Sequence, residues 1–287
     1  MHNTTAEDFL TNDQRQGSVR TTNAPFSLIY LDPARRDSHG GKVFRLEDCT
    51  PNVVTLLPTV LQHLAPEGRL MLKLSPMLDI TQAVNTLVAN HSPQGAPLAF
   101  DVHVVAVKNE VKEVLLLGER RKDEGTNVVI TAIDLAESDK AFVFTRQEEH
   151  EADCQMVNGK LGNVKWLYEP NAAILKAGAY KLIAQRFSLT KLDVNTHLYV
   201  SNQLIANFPG RVWAIKGEGT KGLKGEEAKG SPANVVCRNY PLTAEQLKKK
   251  LHLRDGGAAY VIGCRVNGKP TLFLCERADY TNSPNAH

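Results

Sequence analysis

An apolar run from Phe26 to Leu31 ends in Asp32-Pro33-Ala34-Arg35-Arg36. An acid at the end of a strand is well placed to take hydrogen bonds from an amino group. Pro33 fixes φ and carries no N–H, so the Asp32 carboxylate and the loop carbonyls converge as acceptors. Arg35 and Arg36 suit bidentate capture of a phosphate or a carboxylate. The plainer alternative is a polar strand terminus turned by Asp-Pro, with its arginines in solvent.

A second set of residues suits a polyanion. The net charge of the 287-residue chain is +3, yet residues 211–287 alone hold 13 Lys+Arg against 7 Asp+Glu. A cationic segment binds phosphates by releasing their counterions, although lysines also simply solvate a surface. Lys216, Lys221 and Lys224 alternate with glycines in a stretch that suits a phosphate-following loop as well as a plain surface loop. Lys248, Lys249 and Lys250 crowd one helix, either as its solvated face or as an RNA contact. Trp213 and Tyr240 suit stacking on unpaired bases or packing in a core. His103 reads as a packed strand histidine, and no Ser/Cys-His-Asp grouping supports nucleophilic catalysis. The five cysteines lack paired metal-ligand spacing, so neither a metal site nor a disulfide is expected.

The elements that must hold these residues follow from periodicity. Residues 26–31 suit a strand buried on both faces of a parallel sheet. A helix is expected over 53–65, broken by Pro66-Glu67-Gly68, then a strand over 69–74 and a helix to Ala89 with Asp79 as N-cap. Strands at 102–107 and 111–117 close this part as a hairpin. Strand, helix, strand, helix and hairpin together describe the C-terminal half of a doubly wound α/β sheet.

Past Gly118 the pattern is that of small α+β units. Strands are expected at 127–133 and 141–144, then a mobile acidic stretch over 147–153. A single helix over 171–187 and a strand over 196–200 follow. Next come a strand at 210–215, a Gly/Lys-rich stretch to Gly230 and a strand at 234–238. The helix from Thr243 has capping-box spacing with Gln246, and Asn267-Gly268 joins two hairpin strands. The expected division is 1–125, 126–207 and 208–278, with a disordered tail over 279–287. With no apolar run of about 20 residues and no signal sequence, a soluble cytosolic protein is expected.

Three separated motifs carry a family resemblance. Asn3 to Leu10 followed by Tyr30 to Arg36 resembles the third and fourth motif regions of class I S-adenosylmethionine-dependent methyltransferases. Asp32 to Arg36 with Gly40 to Phe44 forms the first motif of a narrower match. Tyr168-Glu169-Pro170-Asn171 with Ile174 to Gly178 forms the second. Arg238-Asn239-Tyr240-Pro241-Leu242 with Lys249-Lys250-Leu251 and Asp255-Gly256-Gly257 forms the third. Together they resemble a bacterial group of methyltransferase-like proteins with a ferredoxin-like insert and a C-terminal THUMP-like domain. The resemblance implies Asp32, Pro33 and Arg35 as acceptor-side catalytic residues and Asn3 and Glu7 as cofactor contacts. It also implies RNA as partner, for which Lys216, Lys221, Lys224, Arg238, Lys248, Lys249 and Lys250 are the candidate contacts. Methyl transfer would be an in-line attack, with the protein supplying mainly position.

The chain departs from that family at its start. Only 25 residues precede the Asp-Pro strand, with no Gly-x-Gly turn and no ribose-binding acid. In the family's strand order, 3-2-1-4-5-7-6, strands 1 to 3 are missing, so truncation is expected. Strand 26–31 would then be an apolar sheet edge prone to self-association, and S-adenosylmethionine would bind weakly or not at all. The alternative is a noncatalytic RNA-binding or assembly protein that keeps the fold as scaffold.

Overall fold

A computed structural model describes residues 5, 8, 10, 25–34, 45–89, 98–121, 127–137, 140–159, 161–218 and 230–278. They form two compact units, 1–147 and 148–287, each with its own sheet.

The first unit runs β1 (Phe26–Leu31), α1 (Val53–His63), β2 (Leu64–Leu74), α2 (Ile80–Ala89), β3 (Leu98–Val107), β4 (Glu110–Arg120), β5 (Val129–Asp134) and β6 (Phe142–Thr145). Its six-stranded sheet has the order β1-β2-β4-β3-β5-β6. β1 is parallel to β2, whereas β4 inserts antiparallel to both β2 and β3. One face carries Leu70, Leu72, Leu116, Val102, Val104 and Ile130, all buried. The helices α1 and α2 bury Val53, Leu57, Val60, Val84 and Leu87. The Asn52 carboxamide caps α1 by accepting from Val54 and Thr55. The other face, with Lys73, Leu115, Leu117 and His103, is only half buried. Gly118 lies under Phe100, whose ring would stand 2.6 Å from any added Cβ; only glycine leaves that room.

Three expectations fail here. β1 is not buried on both faces: Leu28 and Tyr30 are 52% and 51% exposed, and among the described residues β1 is the edge strand that the missing strands 1 to 3 implied. Pro66-Glu67-Gly68 does not sit between helix and strand but within β2. There the register jumps from Phe26↔Leu64 to Leu28↔Arg69, so the extra residues bulge. Strands 127–133 and 141–144, read as part of the second unit, are β5 and β6 of the first sheet, because β5 pairs parallel with β3. Period-2 patterning shows that a strand exists but not which sheet takes it.

The second unit holds β7 (Trp166–Pro170), α4 (Ala172–Ala177), α5 (Leu182–Arg186), β8 (Thr190–Asp193), β9 (Thr196–Ser201), β10 (Gly210–Glu218), β11 (Asn234–Arg238), α6 (Ala244–Leu251), β12 (Ala259–Val266) and β13 (Lys269–Arg277). The single helix expected over 171–187 is two. Gly178 takes a left-handed φ of 86° and closes α4 as its C-cap, which separates it from α5. The expected mobile acidic stretch instead contains α3 (Arg146–Glu151). Within the second unit, the Glu149 carboxylate accepts from the backbone N–H of Tyr180, Lys181 and Leu182 at 2.9 to 3.1 Å. A carboxylate against the first amides of α5 satisfies donors that the helix itself cannot.

The seven strands pair in the order β11-β12-β13-β10-β7-β9-β8. This sheet curls until its two ends meet. β12 lies against β8 and β9, and the β12–β13 turn bonds the β8 end through Asn267 N–H to the Leu192 carbonyl (3.0 Å) and Gly268 N–H to the Asp193 carboxylate (2.6 Å). The interior of the curl is one core of Leu167, Leu192, Leu198, Val200, Trp213, Ile262, Cys264, Val266, Phe273 and Cys275. α6 packs outside it on Val261 and Leu272 through Leu247.

Candidate functional site

In the first unit, β1 carries Asp32 just past its carboxyl end. The side-by-side register Leu31↔Leu72 brings Lys73 of β2 beside it. Lys73 Nζ donates to Asp32 Oδ2 at 2.7 Å and stands 3.7 Å from Glu113 of β4. The hydrogen bond to Asp32 raises the Lys73 pKa above its ordinary 10.5, so this ammonium stays charged. The Asp32 carboxylate is therefore not open on both oxygens: Lys73 holds one and sets its orientation. Pro33 is buried, and Ala34 forms an antiparallel bridge with Thr50. Arg35, Asn3 and Glu7 lie outside the described residues. Lys73 escaped the sequence reading because one lysine in Leu-Met-Leu-Lys-Leu looks like an exposed position of an alternating strand.

In the second unit, the candidate RNA contacts sort by what already holds them. Lys216 pairs with Glu276 at 2.9 Å, and Lys248 with Asp255 at 2.7 Å. Lys249 and Lys250 are exposed on α6. Lys221 and Lys224 lie outside the described residues. Trp213, 2% exposed, is a core residue rather than a stacking platform. Tyr240 is half buried and packs against Gly263, where an added Cβ would come to 3.0 Å from its ring.

Arg238 behaves differently from the lysines. Its Nε donates to the carboxylate of Glu169, a residue 3% exposed at the end of β7, and an Nη donates to the Cys237 carbonyl at 3.1 Å. Arg211 of β10, the register partner of Glu169, brings a second guanidinium to 3.8 Å from Oε2. Beside them Asn239, at a left-handed φ of 53°, donates from Nδ2 to the buried Thr196 hydroxyl at 3.2 Å. Residues 235–244 line an open groove of about 510 Å³ where β11 turns into α6. Glu169 stood in the second family motif with no role assigned to it, and Arg211 was not a candidate site residue. The available signal was Tyr168-Glu169-Pro170, an acid-proline strand end like Leu31-Asp32-Pro33.

Among the described residues no group of three or more His, Cys, Asp or Glu could hold a metal ion, and no helix is long and apolar enough to cross a membrane. Burial raises the Cys264 and Cys275 thiols to about 12, which suits packing rather than nucleophilic or metal-binding roles.

Comparison with known proteins accords with this architecture. Residues 166–209 match the ferredoxin-like domain family and residues 210–277 the THUMP domain-like family. No curated protein matches the chain. A crystal structure described as "putative methyltransferase from Porphyromonas gingivalis W83" is 32% identical, with a TM-score of 0.71 over 88% of this chain. The chain spans 60% of that protein's length. The chain is thus methyltransferase-like in fold, with a ferredoxin-like domain, β7 to β9, and a THUMP-like domain, β10 to β13, sharing one curled sheet.

Proposed function

We propose that this chain supplies the acceptor-holding and RNA-binding parts of an S-adenosylmethionine-dependent RNA methyltransferase. The observation that carries the reading is the strand order β1-β2-β4-β3, with β4 antiparallel and Asp32 at the carboxyl end of β1. It corresponds to strands 4-5-7-6 of the methyltransferase order, with the acid at the strand end that faces the methyl acceptor. The ends of open α/β strands are where such sheets place their ligands. Lys73 fixes one carboxylate oxygen, leaving Oδ1 to accept an N–H from the acceptor. Pro33 and Arg35, which follow Asp32 in the chain, are the other acceptor-side residues of this reading. The THUMP-like domain and the C-terminal positive charge support RNA as the partner.

The described residues at the ends of β1 and β2 do not fit the cofactor itself. They offer one carboxylate, already held by Lys73, and neither a glycine turn for a backbone approach nor a second acid for ribose hydroxyls. Asn3 and Glu7 are the remaining cofactor contacts in this reading, which leaves affinity weak at best. Calorimetric titration with S-adenosylmethionine is expected to show no binding at micromolar concentration, and a micromolar Kd would overturn this reading of the chain. Lys73's hold on Asp32 also favours the second reading, a noncatalytic RNA-binding scaffold. Methylation of RNA by the chain, assayed with millimolar cofactor, would exclude the scaffold.

A further inference from the structure

Glu169, Arg211 and Arg238 all occupy inward-facing positions of their strands, in step with Leu167, Trp213 and Val236 of the interior core. They therefore meet at one mouth of the curl, where β11 comes round to the β7–β9 end. The donors there outnumber the acceptors. A guanidinium has five N–H groups. Arg238 spends one on Glu169 and one on the Cys237 carbonyl, which pins the group and leaves the Nη edge facing out, with the side chain 44% exposed. Arg211 is 35% exposed and too far from Glu169 for a hydrogen bond at 3.8 Å. Glu169 Oε2 is itself buried without a hydrogen-bond partner.

Two guanidinium groups on one buried carboxylate leave a net positive charge at a partly dry mouth, where an anion is held more strongly than in open solvent. The adjoining groove between β11 and α6 has the size for a nucleoside, with Tyr240 at its wall. The left-handed Asn239 is held in place by Thr196, a conformation of the kind found at ligand sites.

We infer that Arg238 and Arg211, positioned by buried Glu169 at the mouth of the curled sheet, bind a backbone phosphate of single-stranded RNA, whose neighbouring nucleoside occupies the β11–α6 groove. This inference rests on the RNA reading above and gives it a location. Glu169 is a positioning residue: it aims the Arg238 fork and touches no RNA.

The test is fluorescence anisotropy of a labelled, mixed-sequence single-stranded RNA with the full chain, titrated at several salt concentrations. Arg211→Ala should weaken binding roughly fivefold or more and reduce the slope of log K against log salt by about one. Arg238→Lys keeps the charge but loses the fork, and should weaken binding at an unchanged salt slope. Arg238→Ala risks unfolding by stranding Glu169, so the Glu169→Gln/Arg238→Ala double variant is measured beside it. Its thermal midpoint reports folding separately from RNA affinity. Wild-type binding that all these folded variants retain, with unchanged slopes, would overturn the site while leaving the RNA reading intact. Absence of any salt-dependent binding by the wild-type chain would remove both.

Discussion

Arg238 hydrogen-bonds Glu169 although three strands, β12, β13 and β10, stand between their own strands in the hydrogen-bonded order of the sheet. The contact exists only because the sheet curls, so it reports closure of the ferredoxin-like strands onto the THUMP-like strands. The Glu169 side chain is 4% exposed, so its charge has little water to fall back on. Arg238→Ala should therefore cost about 2–4 kcal/mol in urea unfolding, from leaving a buried carboxylate with its hydrogen-bonded partner removed. The Glu169→Gln/Arg238→Ala pair should recover much of that loss. A double variant no more stable than Arg238→Ala would show that the buried charge is not the cause.

Lysines already paired should matter less for RNA than exposed ones. Lys248 and Lys216 bond Asp255 and Glu276, whereas Lys249 and Lys250 are exposed on α6. Lys249→Ala/Lys250→Ala should lower RNA affinity and reduce the salt slope by about two, while Lys216→Ala/Lys248→Ala should change it by less than one. Equal slopes for the two double variants in anisotropy titrations would contradict this ranking.

Acid should loosen the second unit through His197. Its ring stacks on Tyr180 at 3.8 Å, and its Nδ1 is buried without a partner. Burial first, and the Lys191 charge second, push its pKa from 6.5 down to about 4. The folded-state value lies below the unfolded one, so the unfolded chain binds the extra proton. Stability is fully present above about pH 6.5 and is lost as pH falls toward 4, by about 1–2 kcal/mol after allowing for partial exposure. His197→Phe keeps a stacking ring and should flatten that part of the stability profile, as followed by denaturant midpoints from pH 7 to 4. A profile as steep as the wild type would assign the acid sensitivity elsewhere.

The β1 edge should promote association. Leu28 and Tyr30 stand half exposed on a strand whose outer backbone edge has no strand beside it among the described residues. Leu28→Lys/Tyr30→Lys should lower the concentration-dependent scattering of the protein without lowering its thermal midpoint, since charged residues blunt open edges. Light scattering unchanged by these lysines would place self-association, if present, on another surface.

The residues that do local work were legible from the chain. Thr243 and Gln246 make both bonds of the expected capping box. Asn267 and Gly268 take φ values of 46° and 77°, as a two-residue hairpin turn of primed type demands. The acid at the end of β1 and the alternation of strands and helices likewise follow from short-range pattern. Gly178 was equally local, but its role as a helix stop was hidden by apolar spacing that continues past it.

What the chain alone determined is therefore a set of elements, their caps and turns, and the family resemblance carried by its three separated motifs. The tertiary structure decided which sheet takes β5 and β6, that Lys73 holds one oxygen of Asp32, and that Glu169 and Arg238 meet at all. The physical reason is one of range. Caps and turns are satisfied within about four residues, whereas the Lys73–Asp32 and Arg238–Glu169 pairs join residues 41 and 69 apart, through the register and curl of a whole sheet.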